Sequence, residues 1–286
     1  MFMLARDRAL IALAGPDRRS FLQGIVSNDV EKATGQRAIY AAFLTPQGKY
    51  LHDIFIAALG ERLLIDCEAG RRGDLLRRLS IYKLRAKVAL AEENGLSVGL
   101  HMGIDALAAL GLPAEPGRAR AEGEGLVYVD PRLPALGARA ILPAAGLPPE
   151  TGTAADYDRL RISLGVPDGS RDLPVEKAIL LENGFDELNA IDWDKGCYMG
   201  QELTARTRYR GLIRKRLLPV AIEGAAPAPG TPLMQGGKEA GEMRSAAGDL
   251  GLALVRLEAL GNGPLTAAGA RLTPRKPDWM RLPTAS

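Results

Sequence analysis

The chain carries two cysteines, Cys67 and Cys197, and their surroundings differ. Cys197 lies in the run Lys195-Gly196-Cys197-Tyr198-Met199-Gly200-Gln201-Glu202, between glycines that let the backbone take positive φ or pass close to another group. From Gln201 the residues are good helix formers, with Glu202 and Arg206 spaced in the favourable acid-before-base order. The spacing predicts an ordered loop that delivers Cys197 to the start of a helix. Free N–H groups, the positive end of the helix dipole and the nearby Lys195 ammonium all favour a thiolate there. Cys197 is thus a candidate reactive thiol or soft metal ligand, with Lys195 as its activating neighbour. The alternative for a free cysteine is a small buried hydrophobe, for which two glycines and a lysine are poor company. Cys67 alternates with Leu63 and Ile65 along an expected strand and reads as core.

The stretch from Lys195 to Glu202 resembles the K-G-C-Y-x-G-Q-E signature of the YgfZ family, folate-binding relatives of the aminomethyltransferase (GcvT, the T-protein) of the glycine cleavage system. Its continuation, Leu203 to Val220, resembles the branch containing the mitochondrial iron-sulfur cluster assembly factor. Phe21-Leu22-Gln23-Gly24 through Ser27-Asn28-Asp29-Val30 resembles that family's F-L-Q-G-x-x-[TS]-N-D segment, and Leu160 to Pro167 its L-R-x-x-x-G-x-P element. The resemblance implies tetrahydrofolate or a one-carbon derivative as ligand, with Asn28, Asp29, Lys195, Tyr198, Gln201, Glu202 and Arg206 as candidate contacts. It also implies work on the assembly or repair of iron-sulfur clusters, with other iron-sulfur assembly proteins and client iron-sulfur enzymes as partners. Asn28 and Asp29 suit a turn equally well.

Two departures from the aminomethyltransferase pattern matter. Where those enzymes carry a pair of aspartates, one held to be the acid/base, this chain has His52-Asp53, which alters both charge and proton affinity. Asp53 is the candidate acid/base of an alternative one-carbon enzyme, or else satisfies a local backbone donor; His52 is expected to be a surface or half-buried strand residue. Ser163 replaces the glutamate that contacts the pterin, so any pterin here must be recognised partly by other groups. A single thiolate cannot hold an iron-sulfur cluster, which takes about four protein ligands, so Cys197 is expected to lend one ligand to a cluster shared with a partner.

The elements that must position these residues read as α+β. A hydrophobic fraction of 47% is ordinary for a globular protein, and 286 residues imply two or three packed units. Strands are expected at 9–14, 38–44, 50–58 and 63–67, then a helix around 74–79. Tyr82, Leu84, Ala86, Val88 and Leu90 alternate with Lys83, Arg85 and Lys87 as if along a further strand, its cations either solvated or facing an anionic ligand. This predicts antiparallel sheets with helices on one side. Further strands are expected at 96–101, 126–130 and 139–142, with 114–125 an exposed loop, and a helix from Thr153 turning Tyr157, Leu160 and Leu164 inward. From Leu217 short apolar runs between Gly and Pro turns predict a small antiparallel β-barrel or sandwich, and the resemblance implies the barrel. The expected division is a folate-binding region of two intertwined lobes over 1–210, then a barrel over 211–286.

A net charge of +3 does not argue for nucleic acid. The basic run Arg206, Arg208, Arg210, Arg214, Lys215, Arg216 with Tyr209 interleaved straddles a helix end at Gly211, so its cations should diverge, Arg206 towards the pocket and the others solvated. No stretch reaches the ~20 apolar residues that span a bilayer, and the run Ala9 to Ala14 is too short for a signal sequence. Two distant cysteines without C-x-x-C spacing fit a reducing cytoplasm.

Overall fold

The computed structural model describes residues 1–211 and 213–282; Leu212, within the basic run, and 283–286, at the end of the expected barrel region, lie outside the described residues. By internal packing the chain divides into two units. The first comprises residues 1–46, 51–154 and 188–201, the second 47–50, 155–187 and 202–286.

The first unit holds strands β1 (Phe2–Leu4), β2 (Arg8–Ala14), β3 (Ile39–Leu44), β4 (Tyr50–Leu59, its first residue in the second unit), β5 (Arg62–Glu68), β6 (Ala89–Glu93), β7 (Ser97–Met102), β8 (Ala119–Glu122), β9 (Gly125–Val129) and β10 (Gly137–Leu142). Its helices are α1 (Arg18–Gln23), α2 (Arg72–Lys83) and α3 (Asp105–Ala109). They form two five-stranded sheets, ordered β3-β4-β5-β2-β6 and β1-β7-β10-β9-β8, with antiparallel pairing. All of β3 and nine of the ten residues of β4 are buried, which is why these strands read as near-continuous apolar runs rather than as an alternation.

Two local expectations need correction here. The alternation from Tyr82 to Leu90 is not a strand: α2 runs on to Lys83, Leu84 turns the chain at φ +44°, and only Ala89–Glu93 pairs, with β2. Leu, Arg and Lys propagate a helix as readily as they alternate, and no partner strand lies beside 82–88 to decide otherwise. The expected loop at 114–125 contains β8, whose pairing with β9 is made by backbone and needs no apolar alternation.

The second unit holds α4 (Ala154–Ser163), α5 (Gly169–Asp172) and α6 (Gln201–Tyr209), where α4 and α6 each start from the last residue of a first-unit segment, and strands β11 (Lys215–Glu223), β12 (Pro232–Gln235), β13 (Lys238–Ala247), β14 (Leu250–Arg256), β15 (Leu265–Ala267) and β16 (Ala270–Pro274). The strands close into a barrel in the order β11-β14-β13-β12-β15-β16, which leaves no free sheet edge. Its core is built from Leu218, Val220, Leu233, Met243, Val255 and Leu272, among others. The buried side of α4 is Arg161 and Ile162, with Tyr157, Leu160 and Leu164 only half-buried. Asp158 at 2.6 Å and Asp172 at 2.7 Å neutralise the Arg161 guanidinium and make its burial tolerable. Arg216 is likewise buried rather than solvated, donating to the Leu181 carbonyl at 2.6 Å and pairing with Glu187. Among the described residues no helix is long and apolar enough to cross a membrane.

Candidate functional site

Two sequence motifs far apart in the chain meet in the first unit. α1 buries Phe21 and Leu22 and ends at Gly24, leaving carbonyls at its C-terminus that need donors. The Lys195 ammonium supplies them, donating to the carbonyls of Gln23 at 2.6 Å and Val26 at 2.5 Å, while the Met199 N–H reaches the Gly24 carbonyl at 3.1 Å. A cation at a helix C-terminus is also favoured by the dipole. The same ammonium lies 5.1 Å from the centroid of the buried Tyr198 ring. Burial pulls the Lys195 pKa down to about 8, against the pull of the Asp29 and Asp192 carboxylates.

The loop's other end is fixed by the start of α6, where Gln201 reaches back to accept the Tyr198 N–H at 3.2 Å. Gly196 and Gly200 take φ +89° and +80°, the left-handed region the turn requires. Between these anchors Cys197 is exposed. Cys67, by contrast, is buried in β5, and that burial pushes its thiol up to about 12, as core packing implies.

Asn28 and Asp29 build this junction. Asn28 spends both amide hydrogens on the carbonyls of Tyr40 at 2.7 Å and Asn189 at 2.8 Å, and its oxygen accepts the Asp29 N–H. Asp29 accepts from Gln23 at 2.8 Å and from the Glu31 N–H, capping a short helical turn. Ser27 adds bonds to the Ala190 carbonyl and the Ala42 N–H. The segment thus ties β3, the 189–192 loop and the cysteine loop into one bonded assembly. Glu202 and Arg206, on α6, are both exposed.

Beside Asn28 opens a polar cleft of about 130 Å³, lined by Lys32, Arg37, Tyr40, Pro131, Asn189 and Asp192 among others. Burial raises the Asp192 carboxyl, but the paired Lys32 ammonium and the Asp194 N–H outweigh it and hold the group below the usual carboxylate range. The cleft is smaller than the ~300 Å³ or more of usual small-molecule pockets. Of its cations Lys32 is paired with Asp192, and both amide hydrogens of Asn28 are already engaged. A larger groove, about 440 Å³, belongs to the barrel and includes none of these residues.

Asp53 is 2% exposed and accepts the Tyr40 hydroxyl at 2.9 Å. Burial first, then the Asp53 charge, drives the Tyr40 pKa well up, so Tyr40 remains a donor. On the opposite face of β4, His52 is fully buried rather than half-buried, with Nε2 3.1 Å from Asp74 and its ring stacked on Phe43. Burial, helped by the Arg71 cation, lowers His52 to about 4 despite Asp74.

Sequence reasoning missed the charge network around Asp53. Asp66 pairs with Arg8 and Arg139, both at 2.7 Å, Asp130 pairs with Arg132 at 2.8 Å, and the three guanidiniums lie over the Phe55 ring. Burial opposes ionisation of Asp130, and Arg132 and Arg139 more than offset it. The available signal was an isolated charge inside each apolar strand, as with Asp66 in Arg62–Glu68 and Arg139 in Gly137–Leu142.

Comparison with known proteins places these features in context. Residues 214–282 match the family model described as CAF17, C-terminal beta-barrel domain. The chain is 35% identical to the mouse protein named iron-sulfur cluster assembly factor IBA57, mitochondrial, over 98% of this chain and 84% of that relative. The human protein of the same name shows the same identity and coverage. The crystal structure of glycine cleavage system aminomethyltransferase T from Bartonella henselae superposes with a TM-score of 0.79 over 98% of this chain and 86% of that one, at 15% identity, a likeness of fold.

Proposed function

This chain belongs to the family of the iron-sulfur cluster assembly factor IBA57, and on that premise we propose that it assists assembly or repair of iron-sulfur clusters in other proteins through Cys197. The observation that carries the reading is an exposed thiol on a loop whose two ends are pinned, one by Lys195 on the carbonyls of α1 and one by Gln201 at the start of α6. Such a thiol can be reached by another protein while its position is held. Ligation needs the thiolate, so the S–H proton leaves to solvent as the sulfur binds. Among the described residues no three His, Cys, Asp or Glu side chains converge to hold a metal, and a cluster takes about four ligands, so the remaining ones come from the partner.

Tetrahydrofolate, or a one-carbon derivative, is the proposed small ligand of the first unit. Its glutamyl carboxylates would meet Lys32 and Arg37 at the polar cleft, and no bond of the folate changes in this reading. The proposed compartment is the cytoplasm, whose reducing poise keeps an exposed thiol free. Amine chemistry at Asp53 is disfavoured, since a substrate would first have to displace the Tyr40 hydroxyl from a buried carboxylate.

The decisive test is Cys197→Ala as sole copy in cells. Iron-sulfur enzyme activity should fall to the level of cells lacking the gene; wild-type activity would sink the thiol reading. Calorimetric titration with tetrahydrofolate should show the same saturable binding to both forms, and no heat with either would remove folate from the proposal.

A further inference from the structure

Half of the exposed large hydrophobic side chains among the described residues fall within four positions at the end of α2: Ile81 is 60% exposed, Tyr82 38% and Leu84 88%. Leu84 also takes φ +44° with ψ −111°, a conformation outside the left-handed helical region and one that favours glycine. A bulky apolar residue that is both strained and bare contributes nothing to the folded unit. Interleaved with these three are Lys83, Arg85 and Lys87, whose side chains make no hydrogen bond or ion pair among the described residues, whereas Arg77 and Arg78 nearby are both paired with Asp74.

Two short relays of contacts link this projection to the thiol loop. Asp17, just before α1, accepts the Lys87 N–H at 2.7 Å; at the other end of α1 the carbonyls of Gln23 and Gly24 hold Lys195 and Met199. The helix between has six residues, a rise of about 9 Å. A second path is as short: Tyr82 meets Phe43 edge-on at 6.2 Å, and Phe43 is bridged to Val26, whose carbonyl takes the Lys195 ammonium. One protein interface, covering roughly 800 Å² on each partner, reaches across both features.

We infer that the Ile81–Lys87 projection and the Cys197 loop form one docking surface, for a protein partner that presents carboxylates around an apolar pocket. The inference rests on the thiol reading above, and the partner is the one that brings the other cluster ligands. Leu84 and Ile81 are the anchors, and the three unpaired cations supply charge complementarity and steer encounter. A lipid surface fits less well, because a bilayer offers no pocket for a single strained side chain and no ligand for iron.

The test uses two variants as sole copies in cells, Leu84→Gly and the triple reversal Lys83→Glu/Arg85→Glu/Lys87→Glu, alongside Cys197→Ala. Glycine adopts this backbone without strain, so Leu84→Gly should keep at least the wild-type melting temperature while removing the anchor. Both patch variants should lower iron-sulfur enzyme activity about tenfold at matched protein level. Wild-type activity in both, with loss only in Cys197→Ala, would overturn the docking surface and leave the thiol reading intact; wild-type activity in all three would overturn the thiol reading itself. Loss in Leu84→Gly alone would refute an acidic partner. Flotation with phosphatidylglycerol vesicles should leave the protein in solution, and co-flotation abolished by the triple reversal would assign the patch to lipid instead.

Discussion

His52 and Asp53 are adjacent in sequence yet face opposite sides of β4, as strand alternation demands, and so enter different chemistries. Asp53 joins the tyrosine and arginine network; His52 faces α2 and stays neutral. With its folded pKa near 4 against 6.5 unfolded, the unfolded chain binds the extra proton between those values, so stability is full above pH 6.5 and declines as pH falls towards 4. Asp74, held down to about 2 by its arginine and histidine bonds in spite of burial, adds a further loss below the unfolded value of 3.8. His52→Gln keeps a polar group facing Asp74 but cannot titrate. Wild type should lose on the order of 3 kcal/mol between pH 6.5 and 4 that this variant retains, read from urea melts; parallel pH profiles would refute it. The unusual pair was legible in the sequence. Its burial was not, because an adjacent histidine and aspartate interrupt the apolar run of β4 and are residue types that mostly face solvent.

At the level of elements, both motifs of the site could be recognised separately, whereas their junction could not, since Lys195 satisfying the end of α1 is a tertiary fact. Helix starts and apolar strands were readable from local chemistry; β8 and β13, paired through backbone with few apolar residues, were not. The inward turn of Arg161 on α4 was equally hidden, because it depends on carboxylates brought by α4 and α5 together. The loop itself allows a clean backbone experiment. A Cβ at Gly196 would meet no atom within 4 Å, so Gly196→Ala carries only the cost of φ +89°. The expected destabilisation is about 1–2 kcal/mol, with slower or altered alkylation of Cys197; an unchanged melting temperature would mean the turn is not held in that conformation.

Over the whole molecule, antiparallel sheet with helices and then an all-β region followed from apolar patterning and turn spacing, and the barrel from the family resemblance, while the interior charges did not follow from either. Asp66 is fully buried and bonds two arginines, so Asp66→Ala removes their shared carboxylate and leaves Arg139 with Asp130 at 3.6 Å and Arg8 with the residue-66 carbonyl at 3.0 Å. Breaking such a pair costs about 3–5 kcal/mol, a large part of a domain's net stability, and the variant should melt much earlier or accumulate as aggregate. A melting temperature within a degree or two of wild type, where about 1 kcal/mol moves a domain by several degrees, would show that the network is dispensable.

The bond from Lys195 to Val26 spans 169 residues, and that separation sets a timetable for synthesis. At about 5–20 residues per second the ribosome releases the carbonyl acceptors roughly 10–30 s before the lysine that caps them. Throughout that interval the end of α1 lacks the Lys195 and Met199 donors, although every strand of the two sheets has been made once Leu142 is added. The thiol loop is therefore among the last parts of the first unit to be born and the first moment at which it can take its shape is late. A chain cut short anywhere before residue 195 lacks the loop altogether, so incomplete products never present the Cys197 thiol.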